Sequence, residues 1–395
     1  MAKKILVIDD SALMRRVISD IINESNEYEV AAIAKDGLEG LDMIVSNPYE
    51  YSAVILDINM PKLNGLELLQ RLQKDHIEQT VIVVSTVARE GAKETIQALE
   101  YGAFDFVTKP ENYLETKSVE FKNRIFEMLN VATNSKASIR RTSMSKTIAP
   151  VKKDLKSGRT LTSVIARTER TRSTGITPAP VRTVVHTPAK KVDGSMFTSV
   201  KTGKKIVALA CSTGGPKSLQ QVIPMLPAKL DAGVVLVQHM PAGFTASLAA
   251  RLNEMSDINV KEAADGDVIK KGWVYIAPGG KHIRIEKKGT DSVIKLSTEP
   301  PIEGLRPCAN VMYESLTSSN YDEITCVVLT GMGADGTNGI KALNKNHKNI
   351  YVIAQDEETS VVYGMPKAIA GTGLVNEVVP LNRVAEAITK NVGVS

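Results

Sequence analysis

Apolar residues in the first third of the chain fall in short runs, "KILVI" (4–8), "AVILDI" (53–58), "TVIVVS" (80–85) and "FDFVT" (104–108). Between them lie stretches such as "SALMRRVISDIINES" (11–25) and "LELLQRLQKD" (66–75), in which apolar residues recur every three or four positions. Short continuous runs fit strands buried on both faces, and the longer spacing fits amphipathic helices. Strict alternation of the two predicts an α/β domain with a parallel sheet. The pattern returns after residue 203, where "KIVALA" (205–210), "GVVLVQ" (233–238), "ITCVVLT" (324–330) and "NIYVIA" (349–354) read as buried strands with helical stretches between them. One part differs: "WVYIAPGGKHIRIEKKGTDSVIKLS" (273–297) reads as short strands joined by glycine-containing turns, an antiparallel hairpin annex at one edge of a doubly wound, mostly parallel sheet.

Between the two patterned regions, residues 132–203 are rich in Thr, Ser, Lys and Arg, with a single aromatic residue, Phe197. Such a segment buries too little apolar surface to offset its ordering entropy, so it is expected to be a flexible linker. The chain therefore divides into domains at 1–131 and 204–395, joined by 132–203. Charge divides the same way. The 395 residues carry a net +5, but the linker alone carries +12, which leaves −7 for the two domains. Basic runs are usually solvated, and no nucleic-acid partner is expected. No apolar run approaches the roughly 20 residues of a membrane span, and the N-terminus lacks a secretory pattern, so a cytoplasmic address is expected. The cysteines Cys211, Cys308 and Cys326 have no C-x-x-C spacing and are expected to be reduced thiols.

In a parallel α/β sheet the carboxyl ends of the strands open onto one crevice, where sites usually lie. Asp9 and Asp10 end the first strand, Asp57 ends the strand "AVILD", Ser85 and Thr86 end "TVIVVST", and Lys109 follows "FDFVT". Carboxylates gathered so closely repel one another and are best explained by a hard divalent cation such as Mg²⁺, with Lys109 opposite a phosphoryl group on Asp57. The plainer alternative is that they cap helices, Asp10 before "SALMRR" for instance.

In the second domain, Ser212 follows "KIVALAC", His239 closes "GVVLVQ", and Asp335 lies in "LTGMGADGTNG" beyond a third strand. Three strand ends thus bring a hydroxyl, an imidazole and a carboxylate to one crevice, the set that activates a serine nucleophile. His282 and His347 are the other histidines within reach in sequence. The order Ser, His, Asp and the absence of G-x-S-x-G separate this from the α/β-hydrolases. Gly214-Gly215 would let backbone N–H groups approach a developing oxyanion. Ser212 could equally be a helix N-cap. Cys211, next to it, should point the other way and pack. A rival reading takes "GMGADG" (331–336) as a dinucleotide turn, with Asp356 as the ribose-binding acid, although Asp335 would set a carboxylate where pyrophosphate should lie.

"VIDDSALMRR", "ILDINMPKLNGLELL", "VVST" and "GAFDFVTKP" resemble the fingerprint of bacterial response-regulator receiver domains. "CSTGGPKSL", "VQHMPAGFTASLAARLN", "WVYIAPGGKH", "LTGMGADGTNG" and "SVVYGMPKAIA" resemble the catalytic domain of the chemotaxis protein-glutamate methylesterases, whose domain order is also receiver, linker, catalytic domain. One region departs from that family's usual wording: "IEGLRPCANVM" keeps Arg306-Pro307 but differs around them. The resemblance implies a flavodoxin-like receiver in which Asp57 accepts the phosphoryl group, Asp9, Asp10, Asp57 and the Asn59 backbone hold Mg²⁺, and Ser85, Phe106 and Lys109 read the new charge. It implies that Ser212 is the nucleophile, His239 the base and Asp335 its orienting acid, with backbone near Thr213 and Met332 receiving the oxyanion and no cofactor in this half. The expected partners are a histidine kinase as phosphodonor and methyl-accepting chemoreceptors as substrate, with the membrane met only through those receptors. The expected reaction is phosphorylation-activated hydrolysis of glutamate γ-methyl esters, with deamidation of glutamines by the same route. The alternative is a non-enzymatic response regulator with a dinucleotide- or partner-binding output domain.

Overall fold

The computed structural model describes residues 2–86, 88–110, 115, 118–134, 203–346 and 348–395. Most of the segment expected to be a linker, residues 135–202, lies outside them, as does His347.

The first half runs β1 (Lys3–Ile8), α1 (Ala12–Asn23), β2 (Tyr28–Ala34), α2 (Gly37–Ser46), β3 (Ala53–Asp57), α3 (Gly65–Lys74), β4 (Val81–Ser85), α4 (Arg89–Glu100), β5 (Asp105–Thr108) and α5 (Val119–Asn134). Its five-stranded sheet has the order β2-β1-β3-β4-β5, parallel throughout. The continuous apolar runs are explained by the side chains' period of two. Leu6, Ile8, Val54 and Leu56 pack into one layer, while Ile5, Val7, Ala53 and Ile55 pack into the layer on the opposite face. α5 continues to Asn134, three residues beyond the boundary placed at 131.

The second half runs β6 (Lys205–Cys211), α6 (Gly215–Val222), β7 (Gly233–Gln238), α7 (Phe244–Met255), β8 (Asn259–Glu262), β9 (Trp273–Ile276), β10 (His282–Lys288), β11 (Asp291–Ser297), α8 (Ala309–Ser315), β12 (Glu323–Val328), α9 (Thr337–Lys345), β13 (Ile350–Gln355), α10 (Met365–Ala370), β14 (Glu377–Val379) and α11 (Val384–Val392). Seven parallel strands pair in the order β14-β13-β12-β6-β7-β9-β8. β6 is central and buried along its whole length, with Val207 and Leu209 facing one helical layer and Ile206 and Ala208 the other.

The annex is smaller than the sequence pattern suggests. Only β10 and β11 form an antiparallel hairpin, whereas "WVYI" joins the main sheet in parallel, Val234 opposite Val274. The glycines after it make no hairpin turn. A Cβ on Gly279 would lie 2.3 Å from the Pro241 backbone, so this glycine is where the chain leaves the sheet closely packed on the segment that follows His239.

The halves pack together through α4, which lies against α6 and α7. Phe106 of β5 meets Phe244, the first residue of α7, with ring centroids 4.6 Å apart. Arg251 reaches both oxygens of Glu100 (2.9 and 3.0 Å), and the Gly214 N–H donates to the Asp105 carboxylate at 3.3 Å. No helix among the described residues is long and apolar enough to cross a membrane.

Candidate active site

β12, β6 and β7 are neighbours in the sheet, and the three residues singled out in the second half lie just past their carboxyl ends. Cys211 pairs with Gln238, so the next residues, Ser212 and His239, leave adjacent strands side by side. The backbone fixes both: the His239 N–H donates to the Cys211 carbonyl (3.1 Å) and the Ser212 N–H to the Thr330 carbonyl (3.0 Å). Thr330 is fully buried, and its hydroxyl donates to the Thr213 carbonyl at 3.0 Å, which ties the turn after Ser212 to the end of β12. Gly331 allows this approach, since a Cβ there would sit 2.8 Å from that of Ser212.

His239 Nε2 lies 2.8 Å from Asp335 Oδ2, and both side chains are almost wholly buried. Burial alone would push the Asp335 carboxyl up. The hydrogen bond and charge of His239, with the Ala309 and Asn310 amides, outweigh it and hold the group at about 2. A carboxylate that stays ionised keeps a proton on Nε2 and leaves Nδ1 as the basic nitrogen. Of the other histidines weighed for this site, His347 lies outside the described residues, and His282 is buried in β10 with Nε2 on the Pro300 carbonyl (3.1 Å).

The helix-cap alternative for Ser212 does not hold, because the N-cap of α6 is Gly214, at φ +74°. A Cβ at Gly214 would meet Val361 at 2.6 Å, so this position needs glycine for shape as well as for φ. The expectation that Gly214 and Gly215 offer amides to an oxyanion is corrected in the same way. The Gly215 N–H is used inside the turn, on the Ser212 carbonyl (2.7 Å), and that of Gly214 faces Asp105. The Thr213 and Met332 amides, by contrast, have no protein acceptor among the described residues, and Met332 is 41% exposed. Cys211 is fully buried, its thiol donating to Gln238 Oε1 (3.0 Å), and burial pushes its pKa far up; it packs and does not react.

The dinucleotide reading fails on two carboxylates. Asp335 occupies its own loop with inward hydrogen bonds, and Asp356 closes a local turn, accepting from the Thr359 amide (2.9 Å) and hydroxyl (2.6 Å).

In the first half, one carboxylate oxygen from each of Asp9, Asp10 and Asp57 lies within 4.8 Å of the others. Lys109 Nζ bridges Asp9 (2.9 Å) and Asp57 (2.8 Å), and burial, with Asp9 nearby, still raises the Asp57 pKa against the lysine's pull. The cap of α1 is Ser11, whose hydroxyl accepts from the Met14 amide, so exposed Asp10 is not spent on capping. The Asn59 side chain donates to Glu94 (3.0 Å), which leaves only its backbone for an ion. The Ser85 hydroxyl donates to the Gly91 carbonyl (3.2 Å), and Phe106 is spent on the contact between the halves. Asp105, Phe244, Asn310 and Cys308 could not be read from sequence as parts of these sites, because each acts through a partner at least 25 positions away.

Comparison with known proteins assigns both halves to known families. Residues 207–388 match the family model of the CheB methylesterase, and residues 5–118 that of the response regulator receiver domain. The protein-glutamate methylesterase/protein-glutamine glutaminase of Pyrococcus horikoshii is 39% identical over 389 residues, 98% of this chain and 93% of that one. Its counterpart in Geobacillus kaustophilus is 38% identical over 390 residues, 99% of each. Among solved structures, the Thermotoga maritima CheB methylesterase catalytic domain is 40% identical and covers 48% of this chain and 100% of its own, with a TM-score of 0.46. With receiver and catalytic halves matched in one order along nearly the whole length, the chain belongs to the family of two-domain CheB methylesterases.

Proposed function

We propose that this chain hydrolyses γ-methyl esters of glutamates on chemoreceptors, and the amides of glutamines at such sites, under the control of its receiver half. The observation that carries the reading is the contact of 2.8 Å between His239 and Asp335 beside a serine at the next strand end. Ser212 Oγ attacks the ester carbonyl while its proton passes to His239 Nδ1, and Asp335 stabilises the imidazolium through Nε2–H. The Thr213 and Met332 amides receive the oxyanion. Collapse of the tetrahedral intermediate breaks the C–O bond to the methoxy group, which leaves as methanol with the proton from His239. Water then attacks the acyl-serine, again giving its proton to Nδ1, and free glutamate and Ser212 are restored. With a glutamine the leaving group is ammonia.

Asp9, Asp10, Asp57 and the Asn59 carbonyl suit a Mg²⁺ ion, because three clustered carboxylates are an oxygen donor set for a hard cation. When bound, it supplies positive charge that offsets the phosphoryl oxygens. Lys109 lies against Asp57 and would pair with the phosphoryl group that a histidine kinase places there. The new phosphoryl oxygens would draw the Ser85 hydroxyl from the Gly91 carbonyl, and rearrangement of β4 and β5 that moved Phe106 off Phe244 would loosen the contact between the halves.

Methanol release from methyl-labelled receptor membranes by the full chain tests the function. Release should rise when a small-molecule phosphodonor is added, and Asp57→Asn should remove that rise while keeping the unstimulated rate. Absence of release from folded, phosphorylated chain would overturn the activity. An undiminished response in Asp57→Asn would overturn the control.

Asp105 adds a pH dependence to the same control. Buried against the other half, its carboxyl is pushed up to about 7 by lost solvation, against the pull of the Phe106 and Gly214 amides. When the halves part it returns to the ordinary range, so packing takes up a proton between about pH 4 and 7 and tightens as pH falls through that window. Packing is expected to be about tenfold tighter at pH 6 than at pH 8. The ratio of phosphodonor-stimulated to unstimulated rate should therefore be larger at pH 6. In Asp105→Asn, which cannot ionise, the ratio should be the same at both.

A further inference from the structure

Asp335 is held by more than His239. Oδ1 accepts from the Cys308 thiol (3.2 Å) and from the Asn310 (2.9 Å) and Gly336 (2.8 Å) amides, while Oδ2 accepts from the Ala309 amide (2.6 Å) and His239 Nε2 (2.8 Å). Three of these donors are backbone and one is the base itself. The remaining one, Cys308, is the only side-chain donor besides the base among the described residues, and it comes from "IEGLRPCANVM". Cys308 is the N-cap residue of α8, yet its side chain makes no capping bond and turns to Asp335 instead. It is 1% exposed, and burial with the Asp335 charge pushes its thiol up to about 12, so sulfur keeps its hydrogen throughout the working range. Asn310 completes the fixture from the other side. Its Oδ1 accepts from the Gly336 (3.0 Å) and Gly339 (2.8 Å) amides, pinning the loop after Asp335 to α8.

We propose that Cys308 is a positioning residue for the esterase reaction: its S–H fixes the rotation of the Asp335 carboxylate so that Oδ2 stays on His239, and it draws negative charge toward Oδ1. The inference rests on the triad reading. A thiol is a weak donor, but a bond to an ionised acceptor in a dry site is stronger than its neutral counterpart. The titratable groups around Asp335 are His239, Cys308 and Tyr313, and the Tyr313 hydroxyl is used on the Val327 (2.9 Å) and Ala208 (3.3 Å) carbonyls. Removing the thiol therefore leaves a carboxylate with more charge facing His239, which holds the imidazolium proton more tightly.

The test compares Cys308→Ala, Cys308→Ser and Ser212→Ala with wild type, each as the phosphodonor-activated full chain on methyl-labelled receptor membranes, with kcat/KM followed against pH. Cys308→Ala is expected to lose about tenfold in kcat. Its acid limb, which reports His239, should move to higher pH, and Cys308→Ser, which restores a donor, should recover both rate and limb. If Cys308→Ala does not fold, Cys308→Val, which fills the space without a donor, takes its place. A wild-type rate and limb without the donor, a fall in rate with the limb unmoved, or failure of serine to rescue would each overturn the inference, provided Ser212→Ala is inactive. Full release by Ser212→Ala would overturn the triad itself.

Discussion

Ser212→Ala is expected to lower methanol release by about 10⁴-fold or more while the chain remains folded, since removal of a serine nucleophile leaves only binding and oxyanion stabilisation. The substitution is sterically mild. Ser212 makes its structural contacts through backbone, its N–H on Thr330 and its carbonyl receiving the Gly215 and Gln238 donors, and none of these uses the hydroxyl. Unfolding would therefore not explain a loss. The measurement is methanol release beside an unchanged thermal transition. A rate within tenfold of wild type would remove Ser212 from the chemistry.

Asp335→Asn should lower the rate by about 10³- to 10⁴-fold through a different cause. An amide in place of the carboxylate presents either an oxygen that cannot stabilise the imidazolium or an NH₂ group that faces donors. On one side it would meet the Ala309 amide and on the other those of Asn310 and Gly336. The ring of His239 would then lose the partner that selects its tautomer. Some stability should go with it, because the buried donors no longer all find acceptors. Rate and thermal transition should both fall, unlike the serine variant, and a variant that kept its rate would show that His239 needs no orienting acid.

The parts of this architecture that could be read from sequence share one property. Apolar runs announce buried parallel strands, and a chemistry-bearing residue directly after such a run must lie at the carboxyl edge of the sheet. Asp57 after "AVIL", Ser212 after "KIVALAC" and His239 after "GVVLVQ" were located that way, and the strand order β12-β6-β7 then brings Asp335 in beside them. What could not be read depends on approach between segments remote in sequence. "WVYI" carries the same pattern whether its neighbour runs parallel or antiparallel, and only its pairing with β7 decides. Gly214 and Gly215 look like amide donors until the turn uses one and the other half of the molecule takes the second. Cys308 and Asn310 gain their role from α8 starting against the Asp335 loop, which no periodicity encodes. The acids near Asp9 were legible as a group, but that Ser11 caps α1, leaving Asp10 free, is a matter of one side-chain rotation.

The contact of Asp105 with Gly214 has a consequence for energy coupling. With the Asp105 carboxyl raised in the packed form, the proposed control makes packing take up a proton, so by reciprocity whatever parts the halves would release one, in a fraction set by the ambient pH. Separation of the halves is then partly an acid dissociation. Its enthalpy includes the heat of ionising a carboxyl, and its free energy carries the hydrogen-ion activity of the surrounding solution as a reactant would.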